Sequence, residues 1–262
     1  MSAPQISPVA QGEAPPAEIA TWLALAAQHG APPNLQAHTN ARIALTARTP
    51  EGVAQARAWV EPLLRSDPAD LEARLILIDV LRRVGDLDGA RSEVRQGLRK
   101  AERSKEGRLH VVMARIELDA GKPRQAPSHA YKGWTLVADE PRPANELLEV
   151  AALGIDAWSA IKNDKVPLSI GKGLTRRVPY RAEAWILRAN AQRKEEPDKA
   201  CISADKAIAL DDTRADAYLA RAECKIALRE HEAAADALEA AAERSSDEAR
   251  QRALRRRARK LR

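Results

Sequence analysis

The stretch AEAWILRA at 182–189 is followed 33 residues later by a near copy, ADAYLARA at 215–222. Each copy leads into an alanine-rich second half, at 199–208 and 233–242. Repetition at a fixed spacing of about 20 to 50 residues is typical of arrays built from one small structural unit. The stretch therefore predicts stacked units, each made of two helices.

The same repeat frame extends toward the N-terminus. The units are placed at about 37–70, 71–104, 107–140, 147–180, 182–214 and 215–248. Small side chains recur at the eighth and twentieth positions, as in Ala189 and Ala222, and Ala200 and Ala234. Small residues at fixed positions indicate that the two helices of each unit cross closely there.

This pattern resembles the tetratricopeptide repeat, a helix–turn–helix unit. The resemblance implies an all-α fold, a right-handed α-solenoid of about six units over 37–248, with capping helices at 17–30 and 247–262. Gly85 and Gly121 fall where this family turns between helices, and Thr49-Pro50 is a typical helix start. The family's aromatic residue at the fourth position is present only as Trp185 and Tyr218; the earlier units have Asn40, Arg74, His110 and Val150.

Prolines and glycines mark departures from the repeat. Pro62 and Pro127 fall inside predicted second helices, where proline removes a hydrogen-bond donor and favours a kink. Gly171 and Gly173 weaken the predicted second helix of the fourth unit.

Composition supports a helical protein. The chain of 262 residues has no Phe and only 3% aromatic residues, and runs that alternate polar and apolar residues are scarce. Residues 1–16 are rich in Pro and Ala, which predicts disorder. Cys201 and Cys224 are expected to be free thiols on adjacent helices. No secretory leader is visible and no apolar run approaches the ~20 residues of a membrane span, so we expect a cytoplasmic protein.

The sequence offers no enzyme active site. The five histidines, at 29, 38, 110, 129 and 231, lack the spacing of a metal site. The segment GKGLT at 171–175 lacks the spacing of a phosphate-binding loop and follows no predicted strand. We therefore expect a non-enzymatic protein without a cofactor or metal.

The resemblance implies that the first helices of the units line a partner-binding groove. The residues at those positions mix apolar side chains with arginines, which predicts an extended or helical partner segment with apolar and acidic groups. Some of the apolar residues, Trp158 among them, could instead pack the array itself. The predicted groove residues are Arg42, Arg48, Leu75, Ile76, Arg82, Arg83, Val112, Arg115, Ile155, Trp158, Ile186, Asn190 and Arg193.

One known function of this family is the capture of a chaperone's terminal carboxylate by Lys and Asn at the fifth and ninth positions. Only Asn190 matches that pattern, so we do not expect this clamp. The sequence predicts an interaction scaffold or adaptor. A less favoured alternative is a secretion chaperone that shelters an unfolded client.

A second candidate site is the C-terminal tail. The chain carries a net charge of +6, and residues 250–262 contain eight cations and no acid, so the rest of the chain is close to neutral. Such a tail could bind nucleic acid, anionic lipid or an acidic protein, or it could be a solvated end helix. It has no aromatic residue, so contact with nucleic acid would be to phosphates. The predicted tail residues are Arg250, Arg252, Arg255, Arg256, Arg257, Arg259, Lys260 and Arg262.

Overall fold

The computed structural model describes residues 33–138 and 143–262, and within these ranges it contains helices and no strands. The elements predicted at 1–16 and 17–30 lie outside the described residues. The chain divides into two compact units, Met1–Glu102 and Arg103–Arg262. The helices are α1 Pro33–Thr46, α2 Pro50–Ser66, α3 Leu71–Arg83, α4 Leu87–Lys100, α5 Arg103–Asp119, α6 Ala126–Ala138, α7 Ala144–Ala160, α8 Lys165–Arg177, α9 Ala182–Gln192, α10 Pro197–Leu210, α11 Ala215–Ala227, α12 His231–Glu243 and α13 Glu248–Arg259.

Local signals in the sequence set the helix boundaries of the first unit. Thr49 Oγ1 accepts a hydrogen bond from the Gly52 amide at 3.1 Å and caps α2, with Pro50 in the first turn. Asp70 and Asp86 cap α3 and α4 in the same way. Gly85 takes a φ of +82°, which glycine adopts without strain, and ends the turn between those two helices. Consecutive helices contact each other, and α1 also contacts α3.

The second unit repeats this arrangement from α5 to α13. Each helix contacts the next one in the chain. In addition, α5 contacts α7, α7 contacts α9, and α9 contacts α11. The first helices of the successive repeats therefore form one continuous row within this unit.

Small residues fill the helix crossings, as the sequence predicts. Ala189, Ala200 and Ala222 are 2%, 1% and 0% exposed. A Cβ placed on Gly133 of α6 would lie 2.7 Å from Val111 Cγ2 and 3.0 Å from the Val111 backbone nitrogen of α5. The two helices approach so closely because Gly133 has no side chain at the contact, which leaves room for Val111.

The prolines and glycines predicted to disturb the second helices differ in where they lie within those helices. The expectation for Pro127 is wrong: α6 begins at Ala126, so this proline lies in the first turn, where a backbone donor has no intrahelical partner. Pro62 does lie inside α2, which continues to Ser66. Gly171 and Gly173 lie within α8, where a Cβ would come 3.1 Å from Arg188 Cα and 3.1 Å from Trp134 Cζ2.

The two cysteines are paired. Cys201 of α10 and Cys224 of α11 form a disulfide with their Cα atoms 5.4 Å apart, so the expectation of free thiols is wrong. The bond joins the second helix of the fifth repeat to the first helix of the sixth. Both residues are buried and pack with Ala200. Among the helices described, none is long and apolar enough to cross a membrane.

Candidate binding surface

Each first helix in the row of the second unit has one residue at the ninth position of its repeat. These residues are Arg115 on α5, Ile155 on α7, Asn190 on α9 and Glu223 on α11. Arg115 and Asn190 are exposed, and neither makes a side-chain hydrogen bond or ion pair with any residue that the structure describes. Both therefore have free polar groups on the surface of the row.

The apolar residues predicted for the groove divide into two groups. Ile76, Ile155 and Ile186 are only 3%, 5% and 8% exposed, so they contribute to the packing of the array and not to its surface; their assignment to the groove surface is corrected. Leu75, Val112 and Trp158 are half-buried and remain accessible.

Trp158 of α7 lies beside α6. Its ring meets that of Tyr131 edge to face, with centroids 6.5 Å apart. Tyr131 is 45% exposed. The Trp158 indole nitrogen is buried and has no hydrogen-bond partner among the described residues. The ring is therefore held by packing on one side while part of it stays open.

Most of the predicted groove arginines bind acidic residues of this chain. Arg42 pairs with Glu72. Arg82 and Arg83 both contact Asp79, and Arg83 Nη1 also donates to the Leu45 carbonyl at 2.6 Å. The contacts with Asp79 lie within α3, whereas those of Arg42 and of Arg83 with Leu45 join α1 to α3. Arg48, in the turn after α1, is exposed and has no ion pair with a described residue; its φ is +54°.

Carboxylates on the row in the second unit are neutralised in the same way. Glu183 accepts hydrogen bonds from Arg181 and from Arg214, the residue before α11, at 2.9 and 2.7 Å. The hydrogen bond from Arg181 lowers the pKa of Glu183, with a further contribution from Arg214. Arg115 therefore remains as a free cation on this row, while α7 also carries two exposed acidic residues, Glu149 and Asp156.

The tail cations fall into two sets, those that pair with acidic residues of the array and those that do not. Leu254 and Ala258 are buried against α11 and α12. Arg250 pairs with Asp216, Arg257 with Glu223, and Arg262 with Asp236 and Glu239. The remaining cations are exposed and have no ion pair with any described residue: Arg252, Arg255, Arg256, Arg259 and Lys260.

Sequence reasoning missed the acidic partners of these cations. Glu72 lies on α3 and Glu223 on α11. The signal that identifies them is the spacing: Arg42–Glu72 and Arg193–Glu223 are 30 residues apart, and Arg257–Glu223 are 34 apart. These separations bring side chains of one repeat together with side chains of the next repeat or of the terminal helix α13. No cluster of three or more residues suited to a metal ion occurs in the described ranges.

Comparisons with known proteins identify the fold. No protein-family model matches the chain, and a search of curated proteins finds no match either. Solved structures do match. YrrB, described as a TPR protein with an unusual peptide-binding site, aligns with a TM-score of 0.55 and 12% identity over 75% of this chain and 97% of that one.

Two further structures agree. The Cut9–Hcn1 assembly of the APC/C aligns with a TM-score of 0.57 and 15% identity, over 85% of this chain and 42% of that one. MamA from Desulfovibrio magneticus RS-1 aligns with a TM-score of 0.53 and 17% identity, over 68% of this chain and 97% of that one. The helix pairs, the buried small residues and these alignments lead to one conclusion: the chain has the fold of the tetratricopeptide-repeat proteins.

Proposed function

We propose that the protein is a non-enzymatic interaction scaffold or adaptor, and that the row of first helices in the second unit binds a segment of another protein. The observation that carries the proposal is the pair of unpartnered polar side chains at the ninth position, Arg115 and Asn190, on either side of α7. These groups lie on the same row as accessible apolar residues such as Val112, so the surface offers both polar and apolar contacts.

The chemistry of this surface indicates the partner. Arg115 presents a guanidinium that can hold a carboxylate through two parallel hydrogen bonds. Asn190 can donate to and accept from a peptide backbone. Val112 and Leu187 are half-buried, and each offers an apolar contact to a partner. An extended or helical segment with alternating apolar and acidic side chains fits this combination. YrrB, which shares the fold, is described as having a peptide-binding site.

The proposal keeps the cytoplasmic location expected from the sequence. In that compartment a disulfide such as Cys201–Cys224 forms only under oxidising conditions, so the state of these thiols is a property to measure.

The test begins with capture of partners on the intact chain and continues with affinity measurements on the purified pair. Arg115→Glu should weaken binding about tenfold or more, since it replaces an attraction with a repulsion at an interface. Arg124→Glu is the matched control, because Arg124 is exposed in the turn after α5 and makes no ion pair with a described residue. Equal affinity of wild type and Arg115→Glu would show that the row is not the binding surface.

A second candidate function rests on α13, as a contact for nucleic-acid phosphates. The five exposed cations lie at 252, 255, 256, 259 and 260, which is one face of a helix. Its apolar side is already buried in the array, so it has no apolar face left for insertion into a lipid surface. Arginine suits phosphate geometry, and the lack of aromatic residues excludes base stacking from this face.

The salt dependence of binding to duplex DNA tests this second candidate. If the five cations each contact one phosphate, a plot of the logarithm of affinity against the logarithm of salt concentration should have a slope of up to about −4.5. Changing the five exposed cations to Gln should abolish retention, while the three paired arginines stay in place. Retention on anionic vesicles but not on DNA would assign the face to lipid, and retention on neither would leave a solvated end helix.

A further inference from the structure

The fourth position of the repeat is filled by an aromatic ring in the last two repeats. Trp185 Nε1 donates to the Pro179 carbonyl at 2.8 Å, and Lys206 Nζ lies 4.5 Å from the centre of its ring. In the sixth repeat the Arg244 guanidinium lies 4.1 Å from the centre of the Tyr218 ring. In these two repeats the ring is therefore covered by a cation from the second helix or from the residue that follows it.

In the second repeat Arg74 takes the place of the ring. It is 4% exposed, and its Nη2 donates to the Pro68 carbonyl at 2.8 Å, the same bond across the same six residues as that of Trp185. Its Nη1 pairs with Glu93. Lys100 occupies the position in this repeat that Arg244 occupies in the sixth, but here it has no ring to cover.

A cavity of about 260 Å³ opens beside Arg74, between α2, α3 and α4. Leu64 and Leu77 supply its apolar lining. Arg74 and Glu93 are engaged with each other, whereas Arg65 and Lys100 line the cavity, are exposed, and form no ion pair with a described residue. Glu61 also lines the cavity, and it pairs with Arg57, which lies outside the lining. The charges left without an ion pair at this cavity are therefore positive.

We propose that this cavity binds an aromatic side chain from an acidic segment of a partner protein. It is smaller than the roughly 300–1,000 Å³ of sites for whole small molecules, which favours a single inserted side chain. A ring against Leu64 and Leu77 would lie within reach of Lys100, which restores the cation-over-ring contact found at Tyr218. Arg65 would bind a carboxylate next to that ring.

The site goes beyond the proposed function, because it lies entirely in the first unit and uses none of the residues of the row. The two can be separated experimentally. Arg115→Glu should leave binding at the cavity unchanged, so failure of one proposal does not imply failure of the other.

The test uses the full chain and a fluorescent peptide, N-acetylated Asp-Glu-Trp-Glu-Asp, in an anisotropy titration. Replacing the peptide's Trp by Ala should weaken binding at least tenfold. The double variant Arg65→Glu/Lys100→Glu should do the same. The matched control is Arg95→Glu/Arg99→Glu, which changes two exposed cations of α4 that do not line the cavity and should bind as wild type.

Arg74→Trp provides an independent check. The indole should fill the cavity and donate to the Pro68 carbonyl, as Trp185 does to Pro179, so the variant should fold and lose the peptide. If the Ala peptide binds as well as the Trp peptide, or if the control pair weakens binding as much as Arg65→Glu/Lys100→Glu, the attraction is general electrostatics and the proposal is wrong. Unchanged binding by Arg74→Trp would also overturn it.

Discussion

Arg193, which follows α9, lies with its Nη1 3.3 Å from Glu223 Oε2 of α11, 30 residues further along the chain. The same carboxylate pairs with Arg257 of α13, 34 residues beyond it. Glu223 is only 19% exposed and thus joins the fifth repeat, the sixth repeat and the last helix. Ion pairs centred on Glu223 therefore link these successive elements, in addition to the buried alanines.

Loss of this shared carboxylate should loosen the end of the second unit. Glu223→Gln removes the charge that two arginines bind, and we expect a loss of about 1 kcal/mol in the free energy of unfolding. Thermal denaturation would measure it. Glu232→Gln is the control, since Glu232 is exposed on α12 and makes no ion pair with a described residue. Equal melting temperatures for the two variants would contradict a structural role for Glu223.

The same substitution at two glycines should have different effects. In Gly133→Ala the new methyl group meets the Val111 backbone nitrogen at 3.0 Å, which cannot move away without separating α5 from α6. We expect destabilisation by about 1–3 kcal/mol. In Gly154→Ala the methyl group meets only Ile170 Cδ1, the far end of a flexible side chain.

For Gly154→Ala the gain in helix propensity, up to about 1 kcal/mol, should offset the small rearrangement. Chemical denaturation of both variants provides the comparison. A Gly133→Ala protein as stable as Gly154→Ala would mean that the helices of the third repeat do not cross as closely as described.

Two histidines make the third repeat sensitive to acid. His110 and His129 join α5 to α6 through their Nδ1 atoms, 3.0 Å apart. Burial, with the charges of Lys132 and His129, lowers the pKa of His110 to about 4. Burial and Lys132 lower the pKa of His129 as well. The neutral pair is therefore favoured in the folded state.

Stability should fall as the pH drops below about 6.5, where histidines of the unfolded chain take up protons that the folded His110 does not. Between pH 6.5 and 5 the contribution of His110 should amount to at most about 2 kcal/mol, and the fall should level off near pH 4. Melting temperatures across this range, with ring-proton NMR titration of His110, would measure it. An ordinary histidine pKa for His110, or a flat stability profile, would refute the prediction.

The disulfide should contribute to the stability of the last two repeats. Closing a loop of 23 residues corresponds to about 3 kcal/mol through restriction of the unfolded chain. Addition of a reductant should lower the melting temperature of the wild type and leave Cys201→Ala/Cys224→Ala unaffected. Labelling of thiols in denaturant reports their state directly. Two reactive thiols in protein purified without reductant would show that the bond does not form.

The repeat frame could be predicted from the sequence because helix crossings accept only small residues. Ala189, Ala200 and Ala222 recur at fixed spacing and are buried as expected. The turns were predictable too, since Gly85 and Gly121 have φ values of +82° and +67°. These signals are local, so the chain alone contains them.

The surface was harder to predict, because neighbouring positions on a helix differ in exposure and long side chains select distant partners. Ile186 is buried while the adjacent Leu187 is half-exposed, a difference of one step around α9. Arg83 reaches the Leu45 carbonyl, 38 residues away, which no local pattern encodes. The sequence placed the two cysteines on adjacent helices, but it could not give their separation.

Photo-crosslinking tests the central claim most directly, by locating the bound partner on the second unit. A benzoylphenylalanine introduced at Asn190, on the row of first helices, should crosslink to the partner. The same group at Ile202, which is 58% exposed on the second helix α10, should not. Crosslinking from Ile202 without crosslinking from Asn190 would contradict the proposed binding surface.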